Sequence, residues 1–232
     1  MSALLMWLEG PLQSWGADSR FGNRTTLPFP TRSGVMGLLC CATGRGGTQE
    51  AWLARMAAYP QTVRAYARLR GDTVMRQPVL RDFHMVGSGY DTNDPWQNLL
   101  VPKTSEGKKP VGSGAKVTYR HYLQDMAFAC VLEMPEAEAG ELAAALEVPV
   151  WELSLGRRNC PPAERVGRGV FADVTAALAD ADALAKAKER AVVLTVREGV
   201  HEDCDEVWTL NDVPVRFGQR KVYRDRQVSL FL

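Results

Sequence analysis

The order of strand-like and helix-like segments restricts the fold of this 232-residue chain more than any other feature. Period-two alternation and short apolar runs predict the strands, and apolar residues at helical spacing predict the helices. The strands are predicted at residues 3–8, 63–69, 73–86, 116–123, 126–132 and 148–155, and the helices at 33–44, 49–59 and 135–146. This β-α-α-β-β-β-β-α-β order is close to a ferredoxin-like βαββαβ unit with an extension between its inner strands.

The extension is the long segment at residues 87–115, which has almost no periodicity and is rich in glycine. A loop of this length inside a compact domain is more often functional or disordered than a plain connection. Because strand-like segments flank it at 81–86 and 116–123, we predict a long protruding hairpin over about residues 80–123.

The rest of the chain predicts a smaller α+β unit, with a helix and three strands at residues 173–191, 192–196, 207–210 and 221–231. The predicted fold class is therefore α+β. The predicted domains are residues 1–155, which contain the hairpin, and residues 156–232.

The stretch from Phe29 to Leu39 reads as a loop that breaks into a helix, with Thr31 or Ser33 as the capping residue. Arg32 then lies at a helix N-terminus, where free N–H groups and the macrodipole favour an anion such as a phosphate. The alternative is a capped core helix with a solvent-facing arginine, and this stretch alone favours that alternative.

The net charge is only +1, but the charges are segregated along the chain. Basic residues concentrate at 103–121, 157–168 and 216–226, whereas residues 133–152 carry glutamates and no lysine or arginine. Such a chain can present one basic face to a polyanion while staying neutral overall. Solvated surface runs are the competing explanation.

Signatures of catalysis are few. The sequence has no P-loop, G-x-S-x-G or H-E-x-x-H motif, and its three histidines and five cysteines follow no metal-ligand spacing. We therefore predict no metal and no cofactor. Buried free thiols and the lack of a membrane-spanning apolar run fit a cytoplasmic protein.

One strand-like segment admits two chemical interpretations. On a strand, Tyr119 and His121 share one face, while Lys116 lies with Arg120 and Tyr122 on the other. A histidine with a nearby tyrosine and lysine is able to act as acid and base in metal-free RNA cleavage. A basic aromatic strand that stacks bases without cutting is the interpretation we favour.

Five blocks of sequence resemble a known family when they are taken together. They are residues 8–16 (LEGPLQSWG), 29–34 (FPTRSG) with 37–39 (GLL), 80–84 (LRDFH), 119–125 (YRHYLQD) and 155–161 (LGRRNCP). In this order they resemble the CasD family, the RAMP-superfamily subunit at the 5′-handle end of the type I-E CRISPR Cascade complex.

The resemblance implies a ferredoxin-like (RRM-like) domain, a hairpin thumb and a small C-terminal domain. It implies a non-catalytic subunit that grips the 5′ handle of the CRISPR RNA and contacts the backbone and large subunits of Cascade, with no membrane. A sister subtype uses the homologous subunit as a processing ribonuclease with a Tyr-Lys-His set, so His121, Tyr119 and Lys116 form the alternative catalytic set. A generic ferredoxin-like RNA-binding module without a CRISPR partner is a third hypothesis.

The RNA contacts are predicted from charge together with this resemblance. Stacking on Trp15, Phe21 or Tyr119 would add roughly 1–3 kcal/mol per base. The predicted contacts are Arg24, Arg32, Ser33, Arg81, Arg120, Arg157 and Arg158, with Lys103, Lys108 and Lys109 at the thumb tip.

Overall fold

The structure is a computed structural model that describes residues 1–16, 22–86, 93, 95, 106 and 116–232. The strands are β1 (Ser2–Glu9), β2 (Leu12–Gln13), β3 (Asn23–Arg24), β4 (Gln61–Arg70), β5 (Thr73–Met75), β6 (Leu80–Val86), β7 (Lys116–Gln124), β8 (Ala127–Met134), β9 (Gly167–Phe171), β10 (Arg190–Glu198), β11 (Glu206–Arg216) and β12 (Val222–Phe231). The helices are α1 (Arg32–Thr43), α2 (Glu50–Met56), α3 (Glu136–Glu147) and α4 (Val174–Ala187).

The main sheet has the strand order β11-β12-β10-β4-β8-β1-β9, and β5 pairs with β4. All of its neighbouring strands are antiparallel. The inner strand β1, between β8 and β9, is buried along residues 3–8, because helices cover both faces of the sheet. A strand buried on both faces reads as a continuous apolar run, which is why the sequence predicts it.

Each face of the sheet packs against its own helices. The side chains of Leu4, Met6 and Leu8 point to the face that α1, α2 and α3 cover. Ala3, Leu5 and Trp7 point to the opposite face, where the small residues of α4 lie against them. No described helix is long and apolar enough to cross a membrane.

The main sheet also shows where the sequence prediction fails. Residues 148–155 form no strand, and β9 is the strand that follows α3 and pairs with β1. Residues 148–155 contain several bends, and the main-chain amides of Val150 and Trp151 donate to Ala42 and Cys41, at 3.0 and 3.1 Å. These bonds satisfy the last carbonyls of α1, which have no partner inside the helix.

The strands after residue 155 continue the same sheet, because β9 pairs with β1 and β10 pairs with β4. The predicted domain boundary at residues 155 and 156 therefore lies in a loop, and the strands before and after this loop belong to one sheet.

A second sheet has β7 at its centre, with β6 on one side and the short strands β2 and β3 on the other. The pairing of β6 with β7 is antiparallel from Leu80 opposite Tyr122 to Val86 opposite Lys116. This pairing confirms the two predicted strands of the hairpin. The tip between them, apart from residues 93, 95 and 106, lies outside the described residues.

A network of ion pairs around Glu9 ties the end of β1 to β10. Arg190, which is buried, donates to Glu9 at 2.7 Å, and the Trp7 indole donates to it at 2.8 Å. Burial raises the pKa of Glu9, but hydrogen bonds from Trp7 and Lys188 together with the Arg190 charge outweigh burial. The pKa of Glu9 therefore lies below its ordinary value.

We expect Glu9→Gln to lower the free energy of unfolding by about 1–3 kcal/mol at neutral pH, because Arg190 and Trp7 lose a charged acceptor. A carboxyl group whose pKa is lower in the folded protein than in the unfolded chain stabilises the fold at pH values above its unfolded-state pKa. This stabilisation is lost as the pH falls through the folded-state pKa. Urea denaturation from pH 7 to about pH 3 measures the difference. A difference that stays constant over this range would contradict the assignment.

Candidate nucleic-acid interface

A groove of about 480 Å³ runs along α1, from Thr31 to the turn at Gly47. Its floor is the side of the helix that carries Gly34, Gly37 and Cys41. Residues from three other segments form its walls, and they include Ser14, Trp15, Ser154, Gly156, Phe217, Lys221 and Tyr223.

The two glycines of this floor differ in what they contact. A Cβ on Gly34 would lie 2.7 Å from the Trp15 ring, so packing of the protein itself requires a glycine there. A Cβ on Gly37 would meet no atom within 4 Å. A mid-helix glycine costs about 1 kcal/mol relative to alanine, and the packing of the described residues does not repay that cost at Gly37.

The N-terminus of α1 begins as predicted, with Thr31 as its cap. The Thr31 hydroxyl accepts from the Gly34 amide at 3.2 Å, and the helix ends at Gly44 in the left-handed conformation. The anion at this end of the helix is Asp212 of β11, whose carboxylate accepts from the Arg32 amide at 2.7 Å. The protein therefore supplies the negative charge that the helix N-terminus favours.

Arg32 itself does not face solvent or a ligand. Its side chain is fully buried and donates to Glu198 at 2.7 Å and to the carbonyls of Met56 and Tyr59 at 2.5 Å. Glu198 also accepts from the Gln61 amide and lies 3.6 Å from Arg226. The structure corrects both interpretations of Arg32, because it makes the residue a buried link between α1, α2 and β10.

Polar and cationic groups lie along the groove. The half-buried Ser33 hydroxyl lines it, as do Arg45 and Lys221 near its ends. Burial raises the pKa of the Cys41 thiol, and the positive charge of Arg158 partly opposes this rise. Arg158 lies two residues after the groove-lining Gly156. The groove thus combines a bare helix surface with cations, which is the arrangement that an anionic backbone requires.

The loop after Leu155 connects the groove to the second sheet. Gly156 lines the groove with φ of +88°, and a Cβ there would lie 1.8 Å from the Ser14 carbonyl, so only glycine fits. The next residue, Arg157, donates to the carbonyls of Arg24 at 2.8 Å and His121 at 3.3 Å. Arg157 therefore bridges β3 and β7, and its guanidinium lies 4.8 Å from the Tyr122 ring centroid.

One face of the hairpin carries exposed aromatic and basic side chains. Phe83 is 58% exposed and Tyr119 is 39% exposed, and their rings meet edge to face at 5.7 Å. The Arg81 guanidinium lies 5.1 Å from the Tyr119 ring centroid. Exposed aromatics next to an arginine form a surface on which unstacked bases bind.

The residues of the alternative catalytic set are only partly described. Tyr119 and His121 are two residues apart on β7, which places them on the same face of the strand. His121 is half-buried, and its Nδ1 atom has no hydrogen-bond partner among the described residues. The Nε atom of Arg120 is also buried without a partner. Lys116 begins β7, and its side chain is outside the described part.

Comparison with known proteins identifies the family. A family model for CRISPR-associated protein (Cas_Cas5) matches residues 3–229. The chain belongs to the Cas5 family. It is 32% identical to the CRISPR system Cascade subunit CasD of Escherichia coli strain K12 over 164 residues, which cover 69% of this chain and 67% of that protein. The family resemblance seen in the sequence is thereby confirmed.

Solved structures agree with this assignment. A chain of a CRISPR RNA-guided surveillance complex superposes with a TM-score of 0.67 at 30% identity, covering 98% of this Cas5 chain and 88% of that chain. A second structure, described as a Cas protein, superposes with a TM-score of 0.58 at 25% identity, covering 98% and 93%. The mixed α/β fold with antiparallel sheets is therefore that of other Cas proteins.

The predicted contacts of this Cas5 chain fall into four groups. Ser33 lines the groove, and Arg158 lies in the loop that follows the groove-lining Gly156. In contrast, Arg24, Arg81, Arg120 and Arg157 lie at or beside the second sheet. Arg32 is buried in the core. Lys103, Lys108 and Lys109, as well as Phe21, are outside the described residues.

Sequence reasoning missed Arg45 and Lys221 as groove residues. Lys221 belongs to the basic segment at 216–226, so charge segregation was the signal that pointed toward it. Arg45 follows the C-cap of α1 in a glycine-rich turn, and nothing in the sequence marks it. In the part of the Cas5 chain that the structure describes, no three His, Cys, Asp or Glu side chains group as metal ligands.

Proposed function

We propose that this Cas5 chain is a non-catalytic RNA-binding subunit of a type I-E CRISPR Cascade complex. In this proposal it grips the 5′ handle of the CRISPR RNA and contacts the backbone and large subunits. The family assignment and the relatives named as a Cascade subunit and a surveillance complex support it. The groove along α1 is the proposed seat of the RNA backbone.

The observation that carries this assignment is the position of Gly37 on the floor of a groove that cations line. A Cβ built there would meet no atom of another described segment within 4 Å, although a glycine weakens the helix. Gly140 of α3 is equally bare, but it does not line the groove. A ligand backbone that approaches α1 closely explains the glycine at position 37, because any side chain would hold that backbone away.

The charges fit a grip that does not depend on base sequence. Arg45 and Lys221 supply cations at the groove, the adjoining loop carries the exposed Arg158, and the Ser33 hydroxyl adds a hydrogen-bonding group. Contacts from such groups to phosphate oxygens position an RNA without reading its bases. Stacking on the exposed ring of Tyr119 would then fix a base next to the backbone path.

The strand order supports the finer description of the fold. The strands β9-β1-β8-β4 lie side by side with α1, α2 and α3 on one face, and they follow one another in the chain as β1, β4, β8 and β9. We infer that they form the ferredoxin-like module, with β6 and β7 as the base of its thumb. The C-terminal strands β10 to β12 then form the smaller unit that extends its sheet.

Binding of labelled repeat RNA to the purified protein, titrated between 50 and 200 mM salt in EDTA, tests the proposal. We expect affinity to fall steeply with salt, because each phosphate contact releases a counterion. An unrelated single-stranded RNA, titrated in parallel, measures the part of the affinity that does not depend on the handle sequence. Binding that does not change with salt would count against a grip on the RNA backbone.

The alternative function is a metal-independent endoribonuclease that uses His121 with Tyr119 and Lys116. A catalytic base is normally oriented by a third group, yet His121 has no hydrogen-bond partner at Nδ1 among the described residues. This observation favours the non-catalytic proposal.

We therefore expect the RNA to stay intact with the wild-type protein and with His121→Ala alike, during incubation in EDTA. Denaturing electrophoresis of end-labelled repeat RNA measures this. Cleavage at one position by the wild type, absent in His121→Ala, would instead establish the nuclease.

A further inference from the structure

Four consecutive apolar residues are exposed between α3 and the loop at Leu155. Val148 is 80% exposed, Val150 is 62% exposed and Trp151 is 48% exposed, and Pro149 between them is exposed as well. We call residues 148–151 the apolar knob. Runs of exposed apolar residues are rare unless they have a function, and contiguous patches of this kind mark interaction sites.

The knob has a fixed backbone. Its two bonds to α1, from Val150 to Ala42 and from Trp151 to Cys41, are 3.0 and 3.1 Å long. A Cβ on Gly44 would lie 3.1 Å from a Val150 methyl group, and one on Gly46 would lie 3.6 Å from the Trp151 ring. Close packing of this turn of α1 therefore holds the knob in place, and a partner would lose little entropy in binding it.

The charged residues that flank the knob along the chain are acidic, while Arg45 lies in the turn against which the knob packs. Glu147 and Glu152 flank it directly, and both are exposed. The whole segment from residue 133 to 152 contains no lysine or arginine. Carboxylates at both ends repel phosphate groups, so this surface suits a protein with cations around an apolar socket and does not suit RNA.

We propose that the apolar knob docks a partner protein subunit whose contact surface is an apolar socket bordered by lysine or arginine. Trp151 is the anchor, because buried tryptophans dominate the binding energy of many interfaces. The knob lies against the turn of Gly44 and Gly46, and the neighbouring Arg45 lines the RNA groove. The docked subunit would therefore stand next to one end of the bound RNA. The inference rests on the proposed function, which supplies the partner subunits.

Photo-crosslinking within the complex tests this directly. A benzophenone amino acid is placed at position 148, and the tagged chain is purified from its own host cells with its bound components. The matched control has the same group at Val200, which is 61% exposed in the connection between β10 and β11. We expect position 148, and not position 200, to crosslink to a peptide of another protein that contains lysine or arginine. A crosslink from 148 to RNA, or to no component of an assembled complex, would overturn the proposal.

Substitution of the knob gives an independent readout. In the triple variant Val148→Ser, Val150→Ser, Trp151→Ser, we expect the occupancy of that one subunit to fall at least about tenfold in native mass spectrometry. RNA content should stay unchanged, and Val200→Ser should keep every component. Full occupancy in the triple variant would reject the docking proposal alone. A wild-type chain that purifies with neither RNA nor other subunits would reject the proposed function as well.

Discussion

Arg32→Ala is expected to lower the free energy of unfolding by about 2–4 kcal/mol, because it removes a fully buried guanidinium together with its ion pair and its hydrogen bonds. Arg32 is fully buried, and Glu198 accepts from it at 2.7 Å. The substitution also removes the donors of two main-chain carbonyls at the end of α2 and beyond it, Met56 and Tyr59. Urea denaturation followed by circular dichroism measures the loss.

Arg158→Ala is the matched control, because Arg158 is exposed and lies in the loop that follows the groove-lining Gly156. Its unfolding free energy should change by less than about 0.5 kcal/mol, while its RNA affinity falls. Glu198→Gln should weaken the fold in a way that is not additive with Arg32→Ala, since the two side chains share one interaction. If Arg32→Ala weakened RNA binding without any change in stability, the interpretation of Arg32 as an RNA contact would be restored.

Arg32 shows why the sequence predicted the helix correctly and the role of its first residue incorrectly. The start of α1 depends on a local signal, Thr31 capping Gly34 three residues away. The partners of Arg32 lie 166 and 180 residues further along the chain, at Glu198 and Asp212. No local pattern reveals that β10 and β11 bring two carboxylates to this helix end.

The strand predicted at residues 148–155 does not form, for a related reason. Valine and tryptophan have a high strand propensity because they fit a pleated surface. This propensity does not determine which strand, if any, a segment pairs with. The amides of Val150 and Trp151 bond to the end of α1 instead of to a neighbouring strand. The glycine-rich β9, with its weaker local signal, takes the position beside β1.

The groove could be predicted only in part, because four separate segments build it. Ser33 and the loop carrying Arg158 were marked by a capping pattern and a basic run, and these signals are local. Lys221 reaches the groove from the start of β12, across the sheet order that only the folded chain defines. The bare surface of Gly37 likewise has meaning only when its surroundings are known.

Gly37→Leu is expected to have opposite effects on folding and on RNA binding. The fold should gain about 0.5–1 kcal/mol, since leucine favours a helix more than glycine does and a Cβ at this position meets no atom within 4 Å. RNA affinity should fall about ten- to a hundredfold, because the side chain fills the path of the phosphate backbone and breaks one or more charged hydrogen bonds. Urea denaturation and RNA titration of the same preparation measure both effects.

Gly140→Leu separates this steric effect from the helix effect. Gly140 also lies inside a helix, α3, with no atom within 4 Å of a built Cβ, so its replacement should stabilise the fold by a similar amount. It lies away from the groove-lining residues, so RNA affinity should not change. Equal RNA affinities for the two variants would place the RNA elsewhere on the chain. A loss confined to Gly37→Leu, in a protein that is more stable than the wild type, cannot come from misfolding and therefore locates the RNA backbone at α1.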